Sequence, residues 1–362
     1  MKIANILFNY KKSTNENKIL GVERCFIDYA KHLILNGNEV ISVTKPNMVF
    51  SDEVKKTGSK FSELPALNQI DIFSIVRLAI LLFNFKVDIA ICHSGRAVFY
   101  ARVARFLNRR KFPIVAIDHG VNPKKFIKAD YIFAVNSYFS KKLIEAGKDA
   151  DRALVIPNMI DPPKDFIKLE KKPFRKTIKL GSLGRLYQEK YFDKAIRAIS
   201  ILKERGIEAE YIIGGVGPQE SNLKDLAKEL GVEDNFKILG WVENKRDFFD
   251  AIDVFILPSE CETFGIVLLE AMLYSTPIVT SNSWGPDEII EEGVNGLKVS
   301  KDDAELMPHL LADAIQKLVN NEEMAKGLAS KSYEKFFNNY SADMVGQKLN
   351  KMLLTIKNNE EN

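Results

Sequence analysis

The chain of 362 residues is 46% hydrophobic and 28% charged, with 20 glycines and 13 prolines, which excludes a disordered, collagen-like or low-complexity protein. At this length one hydrophobic core gives way to two, so two domains of about 150 to 200 residues each are expected. The net charge of +4 hides a division: residues 1–160 hold 25 Lys and Arg against 14 Asp and Glu, whereas residues 161–362 hold 27 against 34. The basic half is then the one to face an anionic partner or surface.

Cys25, Cys92 and Cys261 are odd in number and form no CxxC pair, so their spacing supports neither a disulfide framework nor a cysteine zinc site. The opening MKIANILFNYKK holds too short an apolar run for a signal peptide, and Arg77 interrupts the longest apolar stretch, near residues 75–85. No segment reaches the roughly 20 apolar residues of a membrane span. The expected location is the cytoplasm.

An apolar strand, Ile3 to Phe8, opens the chain, followed by a polar loop (Lys11 to Lys18) and an amphipathic helix from Val22 to Leu35 that stops at Asn36-Gly37-Asn38. Further strands are read at Glu39 to Val43, Val87 to Ile91, Pro113 to Ile117 and Tyr131 to Val135, with helical patterns between them. Such near-continuous apolar strands suit a parallel sheet covered on both faces. The stretch from Asp161 to Pro173, with three prolines and a charge cluster, reads as a linker. Alternation then restarts, with strands at Ile178 to Ser182, Glu210 to Ile213, Phe236 to Leu239, Val254 to Leu257 and Pro277 to Val279 and helices between them. The tail is helical, and Ser341 is placed to cap a last helix that folds back onto the first domain.

The predicted fold class is therefore α/β: two Rossmann-like, doubly wound domains facing across a cleft. Residues 1–165 form the first, 166–340 the second, and the helix 341–362 packs on the first. Open parallel sheets bind ligands beyond the carboxyl ends of their strands, so sites belong on strand-to-helix loops.

Two such loops carry the richest chemistry. In DVFILPSECETFGIVLLEAMLYSTPIV, residues 253–279, a buried strand leads to Glu262-Thr263-Phe264-Gly265, and a helix begins there, running from Gly265 through Ile266 to Tyr274 and carrying Glu270. Backbone N–H groups of residues 263–265 at a helix start form an anion site, and Gly265 permits close approach. Glu262 is positioned to accept from sugar hydroxyls and Glu270 from a ribose diol. The alternatives are a helix cap for Glu262 and a solvated helix position for Glu270. The helix is otherwise apolar, however, so Glu270 demands a polar neighbour.

The second loop, LGSLGRLYQEKYFDKAI (residues 180–196), has Arg185 and Lys190 after a strand, with Gly181 and Gly184 giving backbone room. An Arg fork and a Lys charge hold a diphosphate and stabilise it as a leaving group; an isolated RxxxxK otherwise marks a solvated loop. Gly214-Gly215-Val216-Gly217 is a third glycine-rich strand end, a weak signal that serves a turn as well as a nucleotide. Gly240-Trp241-Val242 offers an apolar wall to a base, or Trp241 is a core residue.

The segments GRLYQEK, GGVGP, LGWV, Glu262 to Glu270 and SNSWGPDEII, in this order, resemble the retaining family 4 glycosyltransferases of the GT-B fold. That resemblance implies that Arg185 and Lys190 hold the donor diphosphate, Glu262 the donor sugar, Glu270 the ribose and residues 240–242 the base. It extends more faintly into the first domain, where Leu20-Gly21 stands for the family's glycine pair with its first member replaced, and Met159 replaces the glycine of PNGVD. Asp118-His119-Gly120 follows a strand, and His119 is similar to the family's histidine beside the reacting sugar carbon. His93 also follows a strand end; His32 and His309 read as structural or solvated.

The implied activity is transfer of a sugar, with retention, from a nucleoside diphosphate sugar, UDP-linked first, to a hydroxyl of a glycan or lipid-linked acceptor in cell-surface polysaccharide or lipopolysaccharide synthesis. The alternatives are a degenerate sugar-nucleotide-binding subunit and a sugar-nucleotide epimerase. No cofactor and no metal are expected, and Asp149-Ala150-Asp151 imitates a DxD motif by coincidence. A nicotinamide enzyme is excluded by the lack of GxGxxG after the first strand. Residues 96–112 interleave apolar side chains with Arg102, Arg105, Arg109 and Arg110. This pattern fits a helix on an anionic membrane, at the inner face of the plasma membrane, rather than a nucleic acid, because the aromatics fall on the apolar side; a sheet-covering helix with a basic end is the alternative.

Overall fold

The computed structural model describes residues 1–8, 19, 21–109, 111–120, 122–163, 165–168 and 174–361. Leu20, the polar loop 11–18 and Arg110 lie outside them. The chain divides into two units, Met1–Asp161 with Ser341–Asn362, and Pro162–Tyr340.

In the first unit the apolar runs become β1 (Lys2–Leu7), β2 (Glu39–Thr44), β3 (Lys60–Glu63), β4 (Ile89–Cys92), β5 (Ile114–Asp118), β6 (Tyr131–Ala134) and β7 (Ala153–Val155). They form one sheet in the order β3-β2-β1-β4-β5-β6-β7, parallel at every pairing. Between them run α1 (Gly21–Leu35), α2 (Ser51–Lys56), α3 (Ile72–Phe85), α4 (Gly95–Asn108) and α5 (Ser137–Glu145). Local chemistry sets their ends. Asp71 accepts from Ser74 N at 3.1 Å, Ser94 from Ala97 N at 3.3 Å and Asn136 from Phe139 N at 2.9 Å, each capping a helix start. At the far end of α1, Gly37 takes φ +79°, while its N–H and that of Asn38 return to Ile34 O and Leu33 O.

The C-terminal helix (Ala342–Glu361) packs on this sheet: Val345, Leu349 and Leu353 join Tyr29 and Leu33 of α1 over Ile3, Ile89, Val115 and Phe133. A Cβ at Gly346 would lie 2.9 Å from His32 Cβ, so glycine there lets this helix and α1 approach closely. Ile160 pairs with Ser341, and Ala342 N donates to Ile160 O at 2.9 Å. Asp161 is bonded by Lys31, and the His32 ring lies 3.8 Å away. These ties hold the chain in the first unit through Asp161, so the units divide at 161/162 rather than 165/166.

The second unit is built from β8 (Ile178–Leu183), β9 (Ala209–Gly214), β10 (Phe236–Ile238), β11 (Val254–Leu257), β12 (Ile278–Ser281) and β13 (Leu297–Val299), in the parallel order β10-β9-β8-β11-β12-β13. Its helices are α6 (Phe192–Glu204), α7 (Glu220–Glu229), α8 (Lys245–Ala251), α9 (Ile266–Leu273), α10 (Pro286–Ile289), α11 (Met307–Val319) and α12 (Glu322–Asn339). Leu180, Tyr211, Val254 and Val279 of the sheet bury against Ile196 and Ile199 of α6 and Leu311 and Ile315 of α11. Buried Asp253 accepts from Lys179 N at 2.8 Å and from Arg175, which fixes the start of β11 beside β8. In both sheets the strand order reverses at one place, β1/β4 and β8/β11, the position beyond which open parallel sheets bind ligands.

Candidate active site

In the second unit the β8/β11 reversal brings together the two loops singled out in the sequence. β8 ends at Leu183 and the chain passes through Gly184 and Arg185 to a 3-10 turn, Gln188–Lys190. β11 ends at Leu257 and the chain runs past Ser259 to Glu262 and Gly265. The loops are joined twice: Glu260 N donates to Glu189 O at 2.9 Å, and Lys190 Nζ donates to Glu262 Oε2 at 2.6 Å. Each of those two side chains is 15% exposed, so the pair is shielded but still reaches solvent. Arg185 is exposed, its guanidinium 4.9 Å over the Tyr187 ring.

Glycines let these loops pack closely. A Cβ at Gly215 would lie 1.8 Å from Gly184 O and one at Gly217 2.4 Å from Leu186 O, so both are required by the packing of the β9 loop on the β8 loop. Gly265 caps α9 with φ +91°, the left-handed region that favours glycine. Thr263 and Phe264 precede it. The Phe264 ring is buried, with its centroid 6.2 Å from that of Tyr340, so only the backbone of that residue is available to a ligand. Gly285 N donates to Glu262 O at 3.0 Å, and a Cβ at Gly285 would strike Phe264 O at 2.2 Å. The SNSWGP segment thus braces the loop. Ile266 and Val267, the first residues of α9, present N–H groups that have no acceptor one turn back, a site of positive potential.

Glu270 lies in the next turn of α9, 19% exposed, with its Oε2 3.5 Å from Lys245 Nζ. Burial pushes its carboxyl above the ordinary range and Lys245 acts in the opposite direction. Lys245, the first residue of α8, is the polar neighbour that the apolar helix demands; the sequence signalled the need without identifying the partner. Gly240 has φ +72°, Trp241 is 44% exposed and is not a core residue, and Val242 packs near Gly214. Arg185, Lys190, Glu262, Glu270 and the first turn of α9 are therefore on loops and a helix beyond the β8 and β11 ends, together with Lys245.

The remaining sequence candidates belong to the first unit. Gly21 opens α1. His119 follows β5, and burial lowers its pKa to about 4, so the ring is neutral near pH 7. His93 follows β4, 3% exposed, its ring stacked on that of His119 at a centroid distance of 6.1 Å. His32 is buried on α1 and His309 is exposed on α11. Asp149 is 75% exposed, 3.7 Å from Arg152, and Asp151 lies in the adjoining 3-10 turn. On α4, Val98 is buried, while Phe106 is 82% exposed. Among the described residues no helix is long and apolar enough to cross a membrane.

Two parallel sheets of this order, each with a site-bearing reversal, have the GT-B glycosyltransferase fold. The chain superposes on Anabaena Alr3699/HepE, solved in complex with UDP, with a TM-score of 0.82 over 98% of this chain and 100% of that one at 19% identity. Residues 19–164 match Glycosyltransferase Family 4 and residues 164–335 match Glycosyl transferases group 1. The chain belongs to this family of glycosyltransferases and is a transferase enzyme. The amylovoran biosynthesis glycosyltransferase AmsK of Erwinia amylovora is 28% identical to it over 293 residues, 74% of this chain and 69% of that one. The lipopolysaccharide core biosynthesis glycosyltransferase LpsE of Rhizobium meliloti is 33% identical over 164 residues, 45% and 46% of the two chains.

Proposed function

We infer that the enzyme moves a sugar, with retention of configuration, from a UDP-sugar to a hydroxyl of a glycan or lipid-linked acceptor in cell-surface polysaccharide or lipopolysaccharide synthesis. The observation that carries this reading is the Lys190–Glu262 bond between the β8 and β11 loops. It holds a cation for the diphosphate and a carboxylate for the sugar hydroxyls side by side at the start of a helix. The bond from the anomeric carbon to the diphosphate oxygen breaks, a bond to the acceptor oxygen forms, and the acceptor proton passes to the departing diphosphate or to solvent. Arg185, Lys190 and the first turn of α9 take up the negative charge that develops on the leaving diphosphate. These groups do the work that a divalent ion does elsewhere, so the reaction proceeds without a metal. Glu270 accepts from the ribose, Gly240-Trp241-Val242 lies along the base, and the neutral His119 serves the sugar near the reacting carbon. The Anabaena structures with UDP and with UDP and glucose, and the polysaccharide and lipopolysaccharide names of the relatives, support the choice of donor and pathway class.

An anionic membrane surface is the second partner in this reading. α3 leaves Ile72, Phe73, Val76, Ile80 and Phe83 between 41% and 70% exposed. Asn108 of the adjoining α4 donates to Ala79 O at 2.8 Å, and α4 adds Phe106 and Leu107. Arg77, Lys86, Arg102 and Arg109 are exposed on or at the ends of the same two helices. Apolar side chains beside cations favour the boundary of an anionic bilayer.

Calorimetric titration of the metal-free protein with UDP, GDP and ADP tests the donor assignment. UDP should bind, and at least tenfold more weakly to Glu270→Ala; binding of none of the three, or tighter binding of GDP or ADP, overturns it.

A further inference from the structure

His93 and His119 leave the neighbouring strands β4 and β5, and Cys25 lies on α1. A ring nitrogen from each histidine and the Cys25 Sγ lie within 4.8 Å of one another. The tautomer of His93 is fixed by its surroundings. Asn5, fully buried on β1, donates through Nδ2 to Phe26 O at 2.9 Å, which leaves its Oδ1 to accept from His93 Nε2 at 2.8 Å. The proton is therefore on Nε2, and Nδ1 carries a lone pair; that atom is buried with no hydrogen-bond partner. His119 Nε2 is likewise buried without a partner. Edge contacts with Phe26 and Tyr29, at centroid distances of 5.4 and 5.3 Å, hold the His93 ring in place.

Unpartnered buried polar atoms are rare and call for a cause. Hydrophobic packing does not satisfy a lone pair, and among these three side chains no donor is placed between the imidazoles. A cation accounts for all of it. One thiol and two imidazoles form a borderline-soft donor set, and the outward hydrogen bond from His93 to an amide oxygen is the second support that metal-bound histidines use. His93 and His119 also line a cavity of about 600 Å³, which leaves a fourth coordination position accessible.

We propose that Cys25, His93 and His119 bind a single zinc ion, with the fourth position open to this cavity. Zinc bonds of about 2.0–2.1 Å to nitrogen and 2.3 Å to sulfur put tetrahedral donors about 3.5 Å apart, so the three side chains close by about 1 Å on binding, and the thiol proton is released to solvent. The ion is not a cofactor for transfer. It occupies His119, and where that ring serves the donor sugar, the metal blocks turnover. This inhibitory consequence rests on the reading of His119 under Proposed function; the binding itself does not.

The test uses the full chain in a Cys261→Ser background, which removes the exposed cysteine, with cobalt(II) as the spectroscopic stand-in. One equivalent should bind with a thiolate-to-cobalt charge-transfer band and intense four-coordinate d–d bands, and zinc should displace it. Cys25→Ser, or Cys25→Val if the serine variant is unstable by circular dichroism, should lose the band, bind zinc at least tenfold more weakly and keep its metal-free transfer rate while escaping inhibition by zinc. No band at one equivalent, or a band that survives loss of Cys25, overturns the site. Stoichiometric binding through Cys25 with undiminished turnover supports the site and overturns the placement of His119 at the donor sugar.

Discussion

Lys190 Nζ lies 2.6 Å from Glu262 Oε2 and each side chain is 15% exposed, so two residues 72 positions apart form one charged unit. Removing either leaves the other charge partly shielded without its partner and, under the proposed mechanism, removes a charged contact to substrate, each worth about 1.5–3 kcal/mol. Lys190→Ala and Glu262→Ala should therefore each lower kcat/KM at least tenfold while thermal unfolding shows the fold intact. Because the residues touch, the double variant should lose less than the two single losses combined. Full activity in either single variant would remove the pair from the mechanism.

Gly215 is a packing requirement beside the proposed donor site. A Cβ there would lie 1.8 Å from Gly184 O, and that atom is backbone, which has little room to shift. Gly215→Ala should destabilise the protein by about 1–3 kcal/mol, the range for overpacking. It should also weaken UDP binding, since the displaced segment carries Arg185. An unchanged melting temperature would show that the β8 and β9 loops separate easily.

Glu270 gives a pH signature. Burial raises its carboxyl above the usual 4.5 while Lys245 pulls the other way, so over the interval between 4.5 and the raised value the folded protein holds a proton that the unfolded chain has released. Stability from that proton is full below 4.5 and is lost as pH rises through the folded value. Glu270→Gln cannot ionise, so its advantage in melting temperature over the wild type should grow from pH 4.5 to pH 8, while UDP affinity falls. A difference that shrinks with rising pH would mean that the ion pair with Lys245 outweighs desolvation.

Uninterrupted apolar runs made most strands legible: Ile178 to Ser182 and Val254 to Leu257 mark β8 and β11 within a residue, and with them the two site loops. What the sequence hid is instructive. SDEVKK and KFSE form α2 and β3, yet they are short and polar because the edge of the sheet is only half covered. Trp241 read equally as an apolar wall and as a core residue, and the fold decides for exposure. Lys245 was invisible because its meaning depends on Glu270, a partner reached only when α8 and α9 are both in place. Cysteine spacing could not reveal the clustering of Cys25 with two histidines, because spacing registers only residues of one hairpin or helix. Cys25, His93 and His119 come from α1 and the ends of β4 and β5, which only the strand order brings together.

The proposed membrane contact is tested at the exposed row on α3. Phe73 and Ile80 are 70% and 55% exposed, and neither supports the core. Phe73→Glu with Ile80→Glu should leave the melting temperature unchanged and abolish flotation with vesicles rich in phosphatidylglycerol, while wild type floats with those and far less with phosphatidylcholine. Equal flotation of the variant would move the contact to Phe106 and the basic end of α4.

Metal removal distinguishes a cation that drives transfer from one that blocks it. Under the proposed mechanism Arg185, Lys190 and the first turn of α9 bring positive charge to the diphosphate without an ion, so transfer should continue undiminished after EDTA treatment. If zinc is carried through purification at Cys25, His93 and His119, EDTA should raise the rate instead, because it frees His119. Loss of activity in EDTA that magnesium or manganese restores would contradict both expectations. It would direct attention to Asp149 and Asp151. Asp149 is 75% exposed and faces Arg152, so that outcome requires the arginine to yield its partner to the ion. An Arg152→Ala variant would then need less metal for half-maximal activity, whereas under the metal-free mechanism the substitution leaves the rate in EDTA unchanged.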